Sequence, residues 1–418
     1  MSKRSAIQSH EWFAVVVAFA GSFLILTAYY VLRPVRDQLS AAVGSTALPI
    51  FYGATFVATL ALAPLFGALV ARYPRRRFVP FVYLFFIACM IAFIPLFRMQ
   101  EALDARLLGS AFFVYASVFN LFVVSVFWSF MADLFDAEQA RRLFPIIGVG
   151  AAVGAIAGPV LTKAFVFLIG VAGLLVISAL LLGVAVLCLL ALSRWSCRHP
   201  VKGDDRREQR IIGGSFLAGA AETLKSPLMR RLAILMLLGD AVGTVVYALL
   251  VDYNGSVNLT PETRANFNAN LDLCTNLLQA ALQLTLTRSL MTKFGPAPAL
   301  SLDGAVKAAM FGALAVFGTA FVPVLAAITR ASAYGVFKPA FDSLYTQVDA
   351  ETRYKTKNFI DTAVWRFGDL AITTSFNALR ALGTTLPGFS ALAMLAAGGS
   401  GWLGWRAARS IEVTRAKD

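Results

Sequence analysis

Apolar residues in this chain come in blocks of about twenty, separated by short polar connections, and not on the one-sided stripe that marks a helix of a soluble protein. At about 1.5 Å per residue, some twenty helical residues cover the ~30 Å hydrocarbon core of a bilayer. Ten-residue blocks of alternating polarity, which would mark an outer-membrane barrel, are not part of the pattern. The blocks predict twelve transmembrane helices: Trp12–Leu32, Ala47–Ala71, Phe78–Phe97, Leu107–Asp133, Leu143–Ile169, Val171–Ser193, Leu232–Asp252, Asn268–Met291, Ala297–Gly318, Ala320–Tyr345, Phe359–Leu382 and Pro387–Trp405. Ile169 and Val171 are so close that the fifth and sixth spans are expected to form a tight hairpin. A polar connector from Arg194 to about Ser226 separates six spans from six. The expected architecture is an all-α polytopic membrane protein. Residues 1–193 form an N-terminal six-helix half, 194–226 a cytoplasmic linker and 227–418 a C-terminal six-helix half.

Composition agrees. The chain is 58% hydrophobic and only 14% charged, too little charge to wet a soluble surface of this size. Its net charge of +14 would point a soluble protein towards nucleic acid. Here the basic residues concentrate in the connections. Arg72, Arg75, Arg76 and Arg77, Arg141 and Arg142, the connector with Arg194, Arg198, Lys202, Arg206, Arg207 and Arg210, then Lys293, then Arg353, Lys355 and Lys357, and finally Arg406, Arg409, Arg415 and Lys417 all fall on one side if the spans alternate. That is the positive-inside distribution. It makes the lipid bilayer the expected partner, excludes a nucleic-acid polymer, and places both termini and the linker in the cytoplasm of a bacterial inner membrane. A monomer is expected. Arg98, Arg106 and Arg264 lie on the opposite side, and Arg33 and Arg36 break the pattern.

The same residues narrow the chemistry. Met1–Glu11 is short and runs straight into the first block with no small-residue cleavage site, so that block is expected to be a retained span. Cys89, Cys188, Cys197 and Cys274 form no C-x-x-C pair, and His10 and His199 lie near span ends. No disulfide, metal site or cofactor is expected, nor a nucleophile–base pair for an embedded enzyme. No P-loop is present to drive a pump. The expectation is a secondary transporter and not an enzyme.

Charges inside a bilayer cost roughly 2.5–3.5 kcal/mol each on insertion scales and face protein or a wet cavity. Arg33, Arg36 and Asp37 lie within one turn at the end of the first span, so Arg33 and Asp37 can pair at i,i+4 and leave one arginine over. Asp240 lies two turns into the seventh span and Arg330 in the middle of the tenth. Lys338 and Asp342 form an i,i+4 pair, as do Asp303 and Lys307. Arg366 and Asp369 are i,i+3 neighbours, Arg380 follows, and Lys163 lies deep in the fifth span. Cations exceed anions, so the chamber they line is expected to attract phosphate or carboxylate, which arginine engages bidentately. Tyr29, Tyr30, Phe127, Trp128 and Trp365 either stack a flat ring or fill helix seams. Gly150, Gly154 and Gly158 share one face of the fifth span, where another helix can come close or slide. Two rivals to anion transport are a proton-coupled facilitator that uses Asp240 and a non-transporting scaffold. A scaffold has no reason to keep mid-span charges.

The six-plus-six layout resembles the major facilitator plan, in which two halves rock about a central site. Several strings are closer still to the nucleotide transporter family of bacterial and plastid ATP/ADP translocases, a distant relative of the major facilitators. Leu32-Arg33-Pro34-Val35-Arg36-Asp37 resembles that family's L-R-x-x-K-D. Phe127-Trp128-Ser129-Phe130 resembles the core of its fourth span. Glu138-Gln139-Ala140-Arg141-Arg142-Leu143-Phe144-Pro145 resembles E-A-K-R-F-Y-P. Lys355-Thr356-Lys357-Asn358-Phe359-Ile360-Asp361, followed by Arg366-Phe367-Gly368-Asp369, resembles K-G-K-x-x-I-D and R-x-G-K. The resemblance implies NTP/NDP exchange of the ATP:ADP antiporter kind, with basic residues on the phosphates and Arg36 in the role of the first-span lysine. Asn120 stands where the family has an acid and Asp369 where it has a lysine, which leaves the solute open. The candidate substrate-binding set is Arg33, Arg36, Asn120, Trp128, Asp240, Arg330, Arg366 and Asp369.

Overall fold

A computed structural model describes residues 8, 11–72, 75–100, 102–198, 216–345, 356–357 and 359–415. Much of the basic pattern lies outside the described residues: Tyr73 and Pro74 of the first basic turn, 199–215 of the connector with Lys202, Arg206, Arg207 and Arg210, then Arg353, Lys355, Asn358 and Lys417, and both histidines.

Short polar residues and glycines set the helix limits. The first helix, α1, runs Trp12–Val43 and ends at Gly44, whose φ of 89° suits glycine. A 3₁₀ turn, Ser45–Ala47, leads into α2 (Leu48–Arg72), followed by α3 (Arg75–Arg98). Asp104 caps α4 (Ala105–Leu134) by accepting from the Arg106 N–H at 2.8 Å. Asp136 and Gln139 form a reciprocal capping box at the next helix start: each side chain accepts from the other's backbone N–H, at 2.8 and 3.1 Å. The helical run Ala137–Arg198 is broken at Gly170 (φ 66°, ψ 177°) into α5 (137–169) and α6 (171–198). Their directions follow from what they touch. Gly150, Gly154 and Gly158 lie in turn against Phe19, Phe23 and Tyr30, so α5 runs parallel to α1. Ser178 donates to the Ala28 carbonyl at 2.8 Å while Cys188, further on, lies beside Gly21, so α6 runs antiparallel to α1. The expected hairpin at 169–171 is therefore present.

A short helix, α7 (Phe216–Lys225), precedes α8 (Pro227–Val257). The next helix, α9, joins Pro261–Leu282, the π-helical turn Gln283–Thr287 and Arg288–Phe294. It is followed by α10 (Pro296–Phe317) and by α11, which joins Val322–Ser332, the π-helical turn Ala333–Phe337 and Lys338–Leu344. The last two are α12, with a π-helical turn Ile360–Val364 before Trp365–Ala381, and α13 (Leu386–Arg415). No strand occurs among the described residues. Leaving aside the short α7, this is the all-α, twelve-helix architecture read from the blocks. Eight stretches among the described residues are long and apolar enough to cross a membrane, with Glu138–Arg198 counted as one. Helices α9, α12 and α13 are too polar to meet that measure. Several limits lie outside the expected ones, and two helix ends differ most. Helix α1 continues eleven residues past Leu32, through Pro34, and α13 runs on from Trp405 to Arg415.

The chain forms two compact units. One contains Met1–Val43, Val57–Asp204 and Asn258–Leu273; the other contains Gly44–Phe56, Asp205–Val257 and Cys274–Asp418. In the first, a ladder of rings (Phe97, Phe112, Phe93, Tyr115, Phe86, Phe119) joins α3 to α4 at centroid separations of 4.7–6.1 Å. The buried Tyr83 and Tyr115 hydroxyls donate across it to the Val123 and Phe86 carbonyls, at 2.9 and 2.8 Å, so neither polar tip is left unsatisfied. In the second unit the π turns of α9 and α11 face each other. Thr287 donates to the Gly335 carbonyl at 2.7 Å and Gln283 to the Tyr334 carbonyl at 3.1 Å, which satisfies acceptors that a widened turn releases.

Glu11 ties the start of α1 to the start of α5. It is fully buried and accepts from the Gln8 N–H at 2.9 Å, Gln139 at 3.0 Å and Arg142 at 3.1 and 3.3 Å. Burial works against its charge, but these donors and the Arg142 guanidinium outweigh it and hold the carboxyl below the usual 4.5. A depressed carboxylate pKa stabilises the fold above the unfolded value and loses that contribution as pH falls through the folded one. Glu11→Gln should therefore lower the melting temperature at pH about 7, and the gap to wild type should close at pH about 3. An equal gap at both pH values would show that the charge is irrelevant.

Candidate functional site

Charged clusters lie within the helices of both units. The first is built on the extension of α1. Arg36 lies against Asp37, with Nε donating to Oδ1 at 2.8 Å and a terminal nitrogen at 2.7 Å. Phe113 of α4 faces its guanidinium at 4.9 Å. Arg33, one turn earlier, has its Nε 3.8 Å from Asp37 and 3.6 Å from Asp272 of α9, with the Tyr30 ring 5.7 Å away. These side chains are largely enclosed: Arg33 is 17% exposed, Arg36 13%, Asp37 5% and Asp272 2%. The Arg33 Nε is buried and makes no hydrogen bond. A lone pairing with Asp37 was expected to leave one arginine over. Asp272 corrects that count to two arginines and two aspartates, because α9 turns a polar face inward. Asn268 and Asp272, one turn apart on it, are both buried.

The second cluster joins α8 to α12. Thr244 donates to Asp369 Oδ1 at 3.1 Å, and Arg366 reaches Asp369 Oδ2 at 3.3 Å. Asp240, one turn before Thr244, is half-buried, with Trp365 of α12 among its neighbours. Its Oδ2 is enclosed without a hydrogen-bond partner, and α12 comes close enough there that a methyl on Gly368 would lie 3.2 Å from it. Nearby, Lys307 and Asp303 of α10 form an ion pair at 2.8 Å, only 2% and 1% exposed, with Ser332 donating to Asp303 at 2.7 Å. This is the structural i,i+4 pair expected from sequence.

Two further groups occupy helix ends of the second unit. Asp252 of α8 accepts from the Ser45 N–H and hydroxyl, both at 2.8 Å, and from Arg380 of α12 at 2.7 Å. Lys338 and Asp342 are not a self-contained pair. They join Lys357 and Asp361 in a quartet with Lys338 3.1 Å from Asp342 and 3.5 Å from Asp361, and Lys357 against both carboxylates. Burial disfavours the Lys357 charge, but the two aspartates outweigh it and raise its pKa.

The structure thus gathers Arg33 and Arg36 in one unit and Asp240, Arg366 and Asp369 in the other. Trp128 packs edge-on against Phe127 at 5.6 Å and Phe144 at 5.5 Å, filling the seam between α4 and α5, and lies about 22 Å along α4 from Phe113 at ~1.5 Å per residue. Asn120 is half-buried on α4 between those levels, and Arg330 is half-buried on α11. Lys163 is exposed. Sequence reading missed Asp272 and Asp252. A signal for Asp272 existed in Asn268, Asp272, Thr275 and Asn276, a polar stripe at helical spacing in a segment expected to span.

Among solved structures, the fold is similar to the nucleoside transporter NupG (TM-score 0.61, 13% identity, 97% of this chain and 99% of that one). It is also similar to a POT family transporter in complex with 5-aminolevulinic acid (TM-score 0.63, 15% identity, 97% and 96% of the two chains). A D-xylose-proton symporter matches as well (TM-score 0.62, 12% identity, 96% and 97%). In sequence, the chain is 25% identical over 290 residues to ADP,ATP carrier protein 1, chloroplastic, of Arabidopsis thaliana, across 60% of this chain and 45% of that one. ADP,ATP carrier protein 2, chloroplastic, of the same plant is 24% identical over 287 residues. The chain spans just under half the length of these relatives. Residues 12–368 match the Major Facilitator Superfamily family model, which together with the twelve long helices makes this a multi-pass membrane protein. The chain belongs to the Major Facilitator Superfamily.

Proposed function

We propose that the protein is a secondary transporter of an anionic, phosphate-bearing solute, with an ADP- or ATP-like nucleotide as first candidate, and that it works by alternating exposure of the site to the two membrane faces. The observation that carries this reading is the state of Arg33. An enclosed guanidinium whose buried Nε makes no hydrogen bond, with carboxylates 3.6 and 3.8 Å away, has a donor to spare. A phosphoryl oxygen satisfies that donor at charge-assisted strength. Arg36, one turn on, presents a second guanidinium to the same solute. Binding then amounts to exchange of partners: the anion takes the arginines and releases Asp37 and Asp272. Similarity to plastid ADP,ATP carriers supports the nucleotide class. The positive-inside distribution supports an inner-membrane protein with cytoplasmic termini, and the 194–226 connector supports division into six-helix halves.

The test is thermal stabilisation of the purified protein by ATP, ADP, inorganic phosphate and small dicarboxylates. ATP or ADP should protect, and Arg33→Gln or Arg36→Gln should weaken the apparent affinity by about tenfold or more, the scale of one lost hydrogen bond to a charged group. Asp272→Asn should tighten it, because one of the two carboxylates that compete for Arg33 is then neutral. Absence of protection by any anion, or equal protection in the arginine variants, would sink the reading.

A further inference from the structure

The end of α13 carries charges that none of the clusters takes up. One face of this helix is occupied: Gly401 and Gly404 lie against Gly304 and Leu300 of α10, and Ala397, Ala407 and Ala408 are buried. The opposite face is open. Leu392 and Leu395 are exposed on it, then Trp402, then Trp405, Arg406 and Arg409, all at helical spacing. At ~1.5 Å per residue, Leu395 lies about 10 Å from Trp402, and Trp402 about 10 Å from Arg409. Along the helix the open face therefore passes from aliphatic to indole to guanidinium, the order that a bilayer sets from hydrocarbon through interface to headgroups. Helix α10 agrees on the level. Its contacts run antiparallel to α13, so its start at Pro296 lies level with the Arg406–Arg409 turn, and the exposed Lys293 and Phe294 come just before it.

The two arginines do not extend into water. Arg406 lies over the Trp402 ring at 4.8 Å, and Arg409 over the Trp405 ring at 5.0 Å. Both side chains thus lean towards the helix N-terminus, which in α13 is the direction of the membrane centre. Each charge is held deeper than a snorkelling side chain would carry it. Neither guanidinium is in ion-pair range of a carboxylate among the described residues. Over residues 401–415 the sequence has one acid, Glu412, against Arg406, Arg409 and Arg415. A ring occupies one face of a guanidinium and leaves its N–H edge, which fits the oxygens of a phosphodiester.

We propose that Trp402, Trp405, Arg406 and Arg409 bind an anionic phospholipid, with the guanidinium edges on its phosphodiester and the acyl chains along Leu392 and Leu395. The surplus of positive charge selects an anionic headgroup over a zwitterionic one, whose ammonium finds no described carboxylate here. The apolar run on the same face selects a lipid over a free phosphate. This site is independent of the transport reading above.

The test is native mass spectrometry of the purified full-length protein in detergent. It is titrated with phosphatidylglycerol, with phosphatidylcholine of the same chains, and with glycerol 3-phosphate as a headgroup without chains. Phosphatidylglycerol should bind about tenfold more tightly than phosphatidylcholine, and Arg406→Gln with Arg409→Gln should abolish that preference. Arg98→Gln with Arg106→Gln removes the same charge from exposed positions in the other unit and should leave the preference intact. Melting curves confirm folding, and the two single variants, each with a reduced preference, serve if the double variant is unfolded. Equal binding of the two lipids, an unchanged preference without Arg406 and Arg409, or the same loss without Arg98 and Arg106 would overturn the proposal. So would glycerol 3-phosphate binding as tightly as the lipid, which would assign the arginines to a free phosphate.

Discussion

Replacing Gly154 by leucine is expected to leave little folded protein. In α5, Gly154 faces α1 so closely that even a Cβ would overlap the Phe23 carbonyl oxygen and lie 3.1 Å from the Thr27 nitrogen. Gly150 and Gly158, one turn either side, are equally pressed, with a Cβ 2.5 Å from the Phe19 carbonyl oxygen and 2.5 Å from the Tyr30 Cβ. The obstacles are main chain and a Cβ fixed to it, which cannot rotate away as the far end of a side chain can. Overpacking typically costs about 1–3 kcal/mol, and a collision with backbone along a whole helix seam exceeds that range. Against a net stability of about 5–15 kcal/mol the loss is large. The control is Gly148→Leu, where an added Cβ meets nothing within 4 Å. Yield of monodisperse protein and its melting temperature should fall sharply for the first variant and stay near wild type for the second. Similar behaviour of the two would mean that the α1–α5 seam is looser than described.

The second large effect concerns Lys307. With Asp303 it forms the most enclosed ion pair among the described residues, and removing one partner of such a pair costs about 3–5 kcal/mol because the other charge is stranded. Lys307→Met should therefore destabilise strongly. Replacing both partners, as Asp303→Leu with Lys307→Met, should recover much of the loss, since an apolar pair of similar volume avoids desolvation altogether. Ser332 tempers the recovery, because its hydroxyl loses the Asp303 acceptor. Chemical unfolding of the single and double variants in detergent measures the difference. A harmless single variant, or a double variant no better than the single, would contradict this account.

What could be read from sequence follows from the range of the interactions. The spans were legible because hydrocarbon imposes length on a helix, and the 169–171 hairpin because two adjacent blocks left room only for a glycine turn. Asp303–Lys307, Arg33–Asp37 and Arg366–Asp369 were legible because residues three or four apart share a helix face whatever surrounds them. Asp272 beside Arg33, and Asp252 beside Ser45 and Arg380, join residues far apart in sequence, and no periodicity announces such meetings. The limit of α1 was misplaced for a related reason. Arg33 and Arg36 look like the polar end of a span, but with Asp37 and Asp272 beside them the charges are paired, and the helix continues to Val43. For Trp128 sequence left two roles open, a stacking ring or a seam filler, and its ring contacts lie in the seam between α4 and α5.

The widened turn at Ala333–Phe337 has an effect on direction. One added residue advances everything after it by about 100° around the helix axis. Ser332, just before the turn, meets Asp303 of α10, whereas Lys338 and Asp342, just after it, join the quartet with Asp361 of α12. A single rod thus addresses two neighbours with two different faces, and the phase offset between them is set by one residue's worth of backbone.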